Sequence, residues 1–159
     1  MTLDAIEPLN HQDALNCLAI LAASKAGSRN EVPVGAVLSS PSGHILSESA
    51  NKILMNNNPM GHAEMRAMAQ SASRIGNYRL SGCHLVASLQ PCPMCLGAME
   101  AARLSQWTFL AERPRNDLPH YHCKTTASAT EKFKSSHQDS SIFSLWSVAM
   151  LRFFFEQRR

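Results

Sequence analysis

The sequence predicts an α/β domain in which helices cover both faces of a central mixed sheet. Two observations lead to this fold class. Segments with strand character alternate with helical segments along most of the chain, and this alternation is typical of three-layer α/β folds. The chain of 159 residues is 45% hydrophobic and 17% charged, which suits one globular domain spanning residues 1–159.

The predicted elements have recognisable starts and stops. Leu15, Leu18 and Leu21 give the first helix an apolar face, and Gly27 ends that helix. A Pro-Ser-Gly turn at 41–43 joins the first two strands into a hairpin. The full prediction is helix 11–26, strand 32–39, strand 44–49, loop 51–61, helix 63–73, strand 84–89, helix 92–103, strand 106–110, a polar stretch 111–141 with room for one short strand or helix, and helix 142–159. Both tryptophans, Trp107 and Trp146, are assigned to the core.

Composition and charge bear on membrane association, cellular location and the kind of partner. No apolar run approaches the ~20 residues of a membrane helix, so we expect no membrane partner. The acidic N-terminus lacks the basic region of a secretory signal, so we expect a cytoplasmic protein. The formal net charge is +3, with +4 in residues 103–159 and −1 in residues 1–102. A basic C-terminal third is compatible with a polyanionic partner, although composition alone favours ordinary surface charge.

The cysteines favour metal binding or catalysis over disulfides. An odd number in a chain expected to be cytoplasmic argues against a disulfide framework and makes a close pair a candidate metal or catalytic site. The five cysteines are Cys17, Cys83, Cys92, Cys95 and Cys123.

A candidate zinc site combines a histidine with the closest pair of cysteines. Cys92 and Cys95 follow Pro91 at the start of a predicted helix, where the helix dipole favours the thiolate that binds metal. His62 opens the preceding helix, and two helices packed side by side would bring the three groups together. Three protein ligands leave the fourth zinc position for water. Glu64 cannot easily ligate the same ion, but it can take a proton from that water and return it to a leaving amine.

Two other interpretations of the cysteine pair are open at this stage. A closed structural zinc site needs a fourth protein ligand, and a redox-active pair would leave His62 and Glu64 unexplained. The candidates for a fourth ligand are Cys83, His84, His122 and Cys123.

The joint pattern H-x-E followed by P-C-x-x-C is the signature of zinc nucleobase deaminases. Further segments extend the match: 31–37 (EVPVGAV), 77–80 (NYRL), 91–99 (PCPMCLGAM), and the terminal Phe154, Phe155, Arg158 and Arg159. On these residues the chain resembles the bacterial tRNA-specific adenosine deaminases, within the cytidine-deaminase-like superfamily. The resemblance implies a three-layer α-β-α fold with a central mixed five-stranded sheet.

The resemblance also implies roles for individual residues. His62, Cys92 and Cys95 would bind one Zn²⁺ per subunit, and Glu64 would shuttle protons. The implied reaction is hydrolysis of adenosine to inosine at the wobble position of a tRNA, by a homodimer whose two subunits both contact the tRNA. Four residues are implied in substrate binding. Asn51 would hydrogen-bond the base, and Val34 would pack on it. Backbone N–H groups around Pro91 would help hold the activated water, and Phe155 would contact the anticodon loop.

Two departures from the family pattern leave the substrate open. Gln90 stands where the family has glutamate, and 110–118 (LAERPRNDL) replaces a segment that lines the substrate groove, with the usual aspartate falling near Arg113. One alternative is therefore a deaminase of a free base or nucleoside, such as guanine, cytosine or cytidine. Another is a non-catalytic zinc-stabilised RNA-binding or dimer-partner subunit, against which the presence of Glu64 argues. For Phe153 and Phe154 we expect simple helix packing.

Overall fold

Four helices and five strands make up the part of the chain that the computed structural model describes, which comprises residues 10–113, 134–137 and 142–158. In chain order they are α1 (His11–Gly27), β1 (Gly35–Ser39), β2 (Ile45–Ala50), α2 (Ala63–Ile75), β3 (His84–Ala87), α3 (Pro93–Ala101), β4 (Gln106–Phe109), β5 (Lys134–His137) and α4 (Ile142–Glu156).

The sheet is mixed, with strand order β2-β1-β3-β4-β5. Strands β1 and β2 form an antiparallel hairpin, and β1 also pairs antiparallel with β3. Strands β3, β4 and β5 are parallel to one another. Parallel neighbours require a crossover, and α3 supplies the crossover between β3 and β4. The carboxyl ends of β3 and β4 therefore lie at the same edge of the sheet.

Side chains alternate between two cores along the central strands, as the pleat of a strand requires. On β1, Ala36 and Leu38 belong to one apolar cluster, and Val37 belongs to a second. On β3, Leu85 and Val86 divide between the same two clusters. Helices α2 and α3 contribute Ala63, Ala67, Cys95 and Met99 to the first cluster, whereas α1 contributes Leu15, Ala19 and Ile20 to the second. The result is the predicted three-layer arrangement.

Hydrogen bonds at the ends of the helices account for several boundaries. Asn10 precedes α1, and its side-chain oxygen accepts a hydrogen bond from the backbone N–H of Asp13. Gly76 ends α2 in the left-handed conformation with φ 67°, which glycine adopts without steric cost. Helix α4 is tied to the end of β3 because the Ser147 hydroxyl donates to the carbonyl oxygen of Ser88 at 2.5 Å.

The fold class and the order of elements predicted from the sequence are confirmed, but some burial predictions are wrong. Trp107 is half-buried and stacks on Phe109 with 5.6 Å between ring centroids. Trp146 and Phe153 on α4 are 58% and 64% exposed, so neither lies in the core; Phe154 is 7% exposed and does. Of the polar stretch 111–141, residues 134–137 form β5, and 114–133 lie outside the described residues, as do His122 and Cys123.

Each helix in the described part of the chain is too short or too polar to span a membrane.

The closest approach between α1 and the sheet requires a glycine at position 35. A Cβ atom on Gly35 would collide with the carbonyl oxygen of Ala19 and would lie 2.7 Å from the Cβ of Ala22. Because both obstacles belong to helix α1, the helix and the strand would have to separate. We expect Gly35→Ala to lower the free energy of unfolding by about 1–3 kcal/mol or more, measured by urea denaturation.

Gly97→Ala is the matched control for this substitution. Its added Cβ meets nothing within 4 Å, and alanine is preferred over glycine inside a helix by up to about 1 kcal/mol. We expect this variant to be as stable as the wild type or more so. A Gly35→Ala protein that unfolds at the wild-type urea concentration would contradict the account of α1 packing.

Candidate active site

Two helices begin at the same place on the edge of the sheet. Cys92 is the N-cap residue of α3, which starts at Pro93 directly after the loop that leaves β3. His62 is the N-cap residue of α2. Neither side chain makes the hydrogen bond by which an N-cap residue usually satisfies its own helix. The imidazole and the thiol are therefore available to a ligand between the two helices.

The three predicted ligand atoms form a nearly equilateral triangle. Cys92 Sγ lies 3.5 Å from Cys95 Sγ and 3.7 Å from His62 Nδ1, and Cys95 Sγ lies 3.6 Å from the same nitrogen. In a tetrahedral site with Zn–S bonds of ~2.3 Å and Zn–N bonds of ~2.0 Å, neighbouring ligand atoms lie roughly 3.5–3.8 Å apart. The triangle fits zinc without rearrangement, and these residues are placed to bind a metal ion.

The three groups of the triangle differ in the direction in which their pKa values are shifted. The pKa of Cys92 is lowered to about 3, chiefly because the Cys95 thiol donates a hydrogen bond to its thiolate. The same hydrogen bond raises the pKa of Cys95, and burial raises it further. Contact with Cys92 raises the pKa of His62, whereas burial and the positive charge of Arg113 act in the opposite direction. Cys92 therefore offers a thiolate, the form that binds metal, near neutral pH.

Glu64 lies within the first turn of α2, one residue beyond the start of that helix. Its side chain is buried, and burial raises the pKa of its carboxyl group. The Cys95 thiol interacts with that carboxyl group, so Glu64 borders the triangle without belonging to the three-residue cluster. A carboxyl group with a raised pKa beside a metal site is suited to taking up and releasing a proton near neutral pH.

Asn51 holds the start of α2 in place. Its side-chain oxygen accepts a hydrogen bond from the backbone N–H of Ala63 at 2.8 Å, and its amide nitrogen donates to the carbonyl oxygen of Val32 at 3.1 Å. The backbone N–H of Asn51 donates to the carbonyl oxygen of Val34, which is 6% exposed. Asn51 thus caps the helix that His62 begins.

Glu31 is a residue of this region that sequence reasoning missed. It is 1% exposed, and its carboxylate accepts hydrogen bonds from the backbone N–H groups of Ile53, Leu54 and Met55 at 3.1, 3.2 and 2.7 Å. These bonds anchor the loop that follows Asn51. The only signal in the sequence is that an acidic residue directly precedes the apolar segment 32–38.

Gln90 connects the segment 110–118, the second departure from the family pattern, with the loop that precedes Cys92. Its backbone N–H donates to the carbonyl oxygen of Ala111 at 2.8 Å, and its side-chain oxygen accepts from the backbone N–H of Arg113 at 3.1 Å. Pro91 follows and is buried. The two positions at which this sequence departs from the family pattern, Gln90 and the segment containing Arg113, are thus in direct contact.

Phe155 is placed at the surface of α4. It is 50% exposed and meets the buried Phe154 edge-to-face, with 5.3 Å between ring centroids. Arg158 stacks on Phe154 and donates to the carbonyl oxygen of Asn30 at 3.2 Å, which ties the end of α4 to the loop before β1. The ring of Phe155 thus packs on Phe154 at the surface, and its part in substrate binding stays a prediction.

The fourth protein ligand of a closed zinc site is not present among residues 10–113, 134–137 and 142–158, where the cluster has three members. Cys83 lies at the opposite end of β3, and the His84 ring bonds the Thr108 hydroxyl at 2.8 Å. The other two candidates, His122 and Cys123, fall outside the described residues. The described geometry therefore supports an open site, with one position left for water.

Residues 9–111, more than half of the chain, match the family described as the cytidine and deoxycytidylate deaminase zinc-binding region. The chain belongs to this family.

Individual relatives include deaminases of different substrates. A tRNA-specific adenosine deaminase of Buchnera aphidicola subsp. Baizongia pistaciae is 31% identical over 141 residues, which cover 89% of this chain and 86% of the relative. A solved structure from work on tRNA:A34 deaminases superposes with a TM-score of 0.75 at 26% identity, covering 87% of this chain and 99% of the other. The guanine deaminase of Bacillus subtilis gives a TM-score of 0.61 at 34% identity, covering 65% and 66%.

The extent of these similarities varies widely. In four other curated relatives of this chain, the aligned region amounts to between 17% and 64% of the relative's own length. What these relatives have in common with this chain is thus one region of the size of a domain.

The triangle predicts which cysteine substitutions cause the protein to lose zinc. Cys92→Ser removes one of three ligand atoms, and we expect the purified variant to contain less than about a tenth of the wild-type zinc, because losing a thiolate ligand weakens a structural or catalytic site strongly. Zinc content per protein is measured by atomic emission. Cys83→Ser is the matched control, since Cys83 is also a buried thiol but lies outside the cluster. Equal zinc in wild type and Cys92→Ser would refute the assignment.

Proposed function

We propose that this protein is a zinc-dependent hydrolase that converts adenosine to inosine at the wobble position of a tRNA and releases ammonia. The observation that carries the proposal is the buried carboxyl group of Glu64 beside a triangle of His62, Cys92 and Cys95 that has the dimensions of an open zinc site. A closed structural metal site needs no such carboxyl group. The family of the chain and the tRNA-specific relative aligned over most of its length support the same reaction.

The residues of the site divide the chemistry between them. Zinc, when bound, lowers the pKa of a water ligand and so supplies a nucleophile near neutral pH. Glu64 takes the proton of that water and delivers it to the amino group that leaves as ammonia. Its raised pKa suits both steps, because a proton shuttle works best when its pKa approaches the operating pH.

Substrate binding is assigned to the residues around the triangle. Asn51 donates its remaining amide N–H to the base, and Val34 packs against the base. Backbone N–H groups near Pro91, at the start of α3, help hold the attacking water. Phe155 on α4 contacts the anticodon loop. A flipped base is typically held in this way, by hydrogen bonds to its edge and by packing on its faces.

A basic cavity supports a polyanionic substrate. A cavity of ≈ 200 Å³ between α1, β2 and α2 is lined by Lys25, Arg29, Lys52 and Arg66 together with Glu48. Glu48 pairs with Lys25 at 2.7 Å, which leaves three positive charges. Lys52 directly follows Asn51 in the chain. Phosphate groups of an RNA bind to such surfaces through charge alone, without reading sequence.

The remaining features of the proposal follow from the resemblance. We propose that residues 1–159 form one catalytic domain with one Zn²⁺ per subunit, and that the protein acts as a cytoplasmic homodimer. The N-terminal nine residues and the segment 114–133 belong to this proposal without a structural description.

Deamination of a free base is the second candidate function. The structural similarity to a guanine deaminase and the altered Gln90–Arg113 region favour it. A free base needs only a closed pocket, whereas the basic cavity has no evident use in that reaction. We therefore retain tRNA adenosine as the first candidate.

A substrate comparison separates the two candidates. Purified zinc-loaded protein is incubated with a tRNA carrying adenosine at the wobble position and, separately, with guanine, cytosine and cytidine. We expect inosine in the tRNA, detected after nuclease digestion by chromatography. Ammonia from a free base, with no inosine in the tRNA, would overturn the proposal in favour of the second candidate.

The variant Glu64→Gln is the control for this comparison. It preserves size and zinc ligands but removes the proton shuttle, so we expect normal zinc content with turnover reduced about 10²- to 10⁴-fold. Full turnover by this variant would show that the activity arises elsewhere or that Glu64 has no catalytic part.

A further inference from the structure

Arg113 has a buried nitrogen without a hydrogen-bond partner. Its Nε atom is the one buried side-chain nitrogen or oxygen in this condition within the described residues. Buried polar groups in proteins are almost always satisfied, and an exception calls for an explanation. A charged donor left unpaired is the most costly kind of exception, because it loses water without gaining an acceptor.

The position of Arg113 suggests what the missing acceptor is. Arg113 lies four residues after the end of β4, at the edge of the sheet where α2 and α3 begin. Its backbone N–H donates to the side chain of Gln90, two residues before Cys92. The backbone of Arg113 is thus tied to the segment that supplies a ligand of the triangle.

The side chain of Gln90 is neutral and adds no negative charge beside Arg113. A glutamate at position 90 would add one. Glutamine instead accepts the backbone N–H and leaves the guanidinium uncompensated by residue 90. Arg113 therefore carries a cationic group, one nitrogen of which has no acceptor, on the segment beside the candidate active site.

We propose that the guanidinium of Arg113 binds a phosphate oxygen next to the target nucleotide while its base lies at the triangle. This inference rests on the proposed function, because it requires an RNA substrate. Adenine carries no carbonyl oxygen, so the oxygen acceptors of such a substrate near the base are those of its sugar and phosphates. The guanidinium is opposite in charge to phosphate and can donate two parallel hydrogen bonds to two of its oxygens, and such charge-assisted bonds are about twice as strong as neutral ones.

Neutral phosphate analogues test this contact directly. The substrates are short anticodon stem-loop RNAs with adenosine at the wobble position, carrying either normal linkages or a single methylphosphonate on the 5′ or the 3′ side of that nucleotide. We expect kcat/KM of the wild type to fall about 10- to 100-fold with one of the two analogues. Arg113→Gln should show a similar fall with normal RNA and no further fall with that analogue.

Two further variants separate this role from a structural one. Arg113→Lys keeps the charge and should recover part of the lost kcat/KM and part of the sensitivity to the analogue. Arg79→Gln removes an exposed guanidinium that stacks on Tyr78, and it should keep the full sensitivity to the analogue. Zinc content and thermal melting of every variant confirm that the protein compared is folded and loaded.

Each other outcome overturns the inference in a recognisable way. If the wild type edits the RNA and Arg113→Gln edits it equally well, the phosphate contact is refuted while the proposed function stands. The same holds if Arg113→Gln keeps its full sensitivity to both analogues. If the wild type makes no inosine, the proposed function itself fails; a loss of guanine turnover in Arg113→Gln would then assign the acceptor to a base carbonyl.

Discussion

The site depends on two N-cap residues that do not cap their own helices. A side chain at the N-cap position normally accepts a hydrogen bond from the first turn, but the ring of His62 and the thiol of Cys92 do not. At α2 the side chain of Asn51 takes over this function by accepting the N–H of Ala63. The imidazole and the thiolate are consequently left for a metal, at a point toward which both helix dipoles direct positive potential. That potential stabilises thiolate and carboxylate groups alike.

The sheet brings the two N-termini together and the loops hold them. Strands β2 and β3 both pair antiparallel with β1, so the chain leaving β2 toward α2 and the chain leaving β3 toward α3 emerge at the same edge of the sheet, one strand apart. The loop after β2 is held by the buried carboxylate of Glu31 through three backbone N–H groups, which offsets the cost of burying a charge. On the opposite face, the bare backbone of Gly35 allows α1 to approach β1 closely. Rigid support of this kind is what a catalytic arrangement requires.

Sequence reasoning succeeded where a local pattern has one physical interpretation. The alternation of elements predicts the layered fold, and the motifs H-x-E and P-C-x-x-C each lie within one helical turn. Two helices packed side by side then bring His62 to Cys92, although these residues are 30 positions apart. Sequence reasoning failed where a distant contact belongs to no such motif: Asn51 caps a helix twelve residues away, and Gln90 binds a residue 23 positions away. Trp146 was expected in the core and Phe153 in helix packing, but both are exposed. The sequence of an apolar helix does not reveal which of its faces is covered.

X-ray absorption at the zinc edge tests the open site most directly. The account predicts two sulfur ligands at ~2.3 Å, one imidazole nitrogen at ~2.0 Å and one further light ligand that exchanges with small anions. The four-ligand alternative predicts a third sulfur or a second imidazole and no exchange. A spectrum with four protein ligands would contradict the claim that this triangle leaves a position for reacting water.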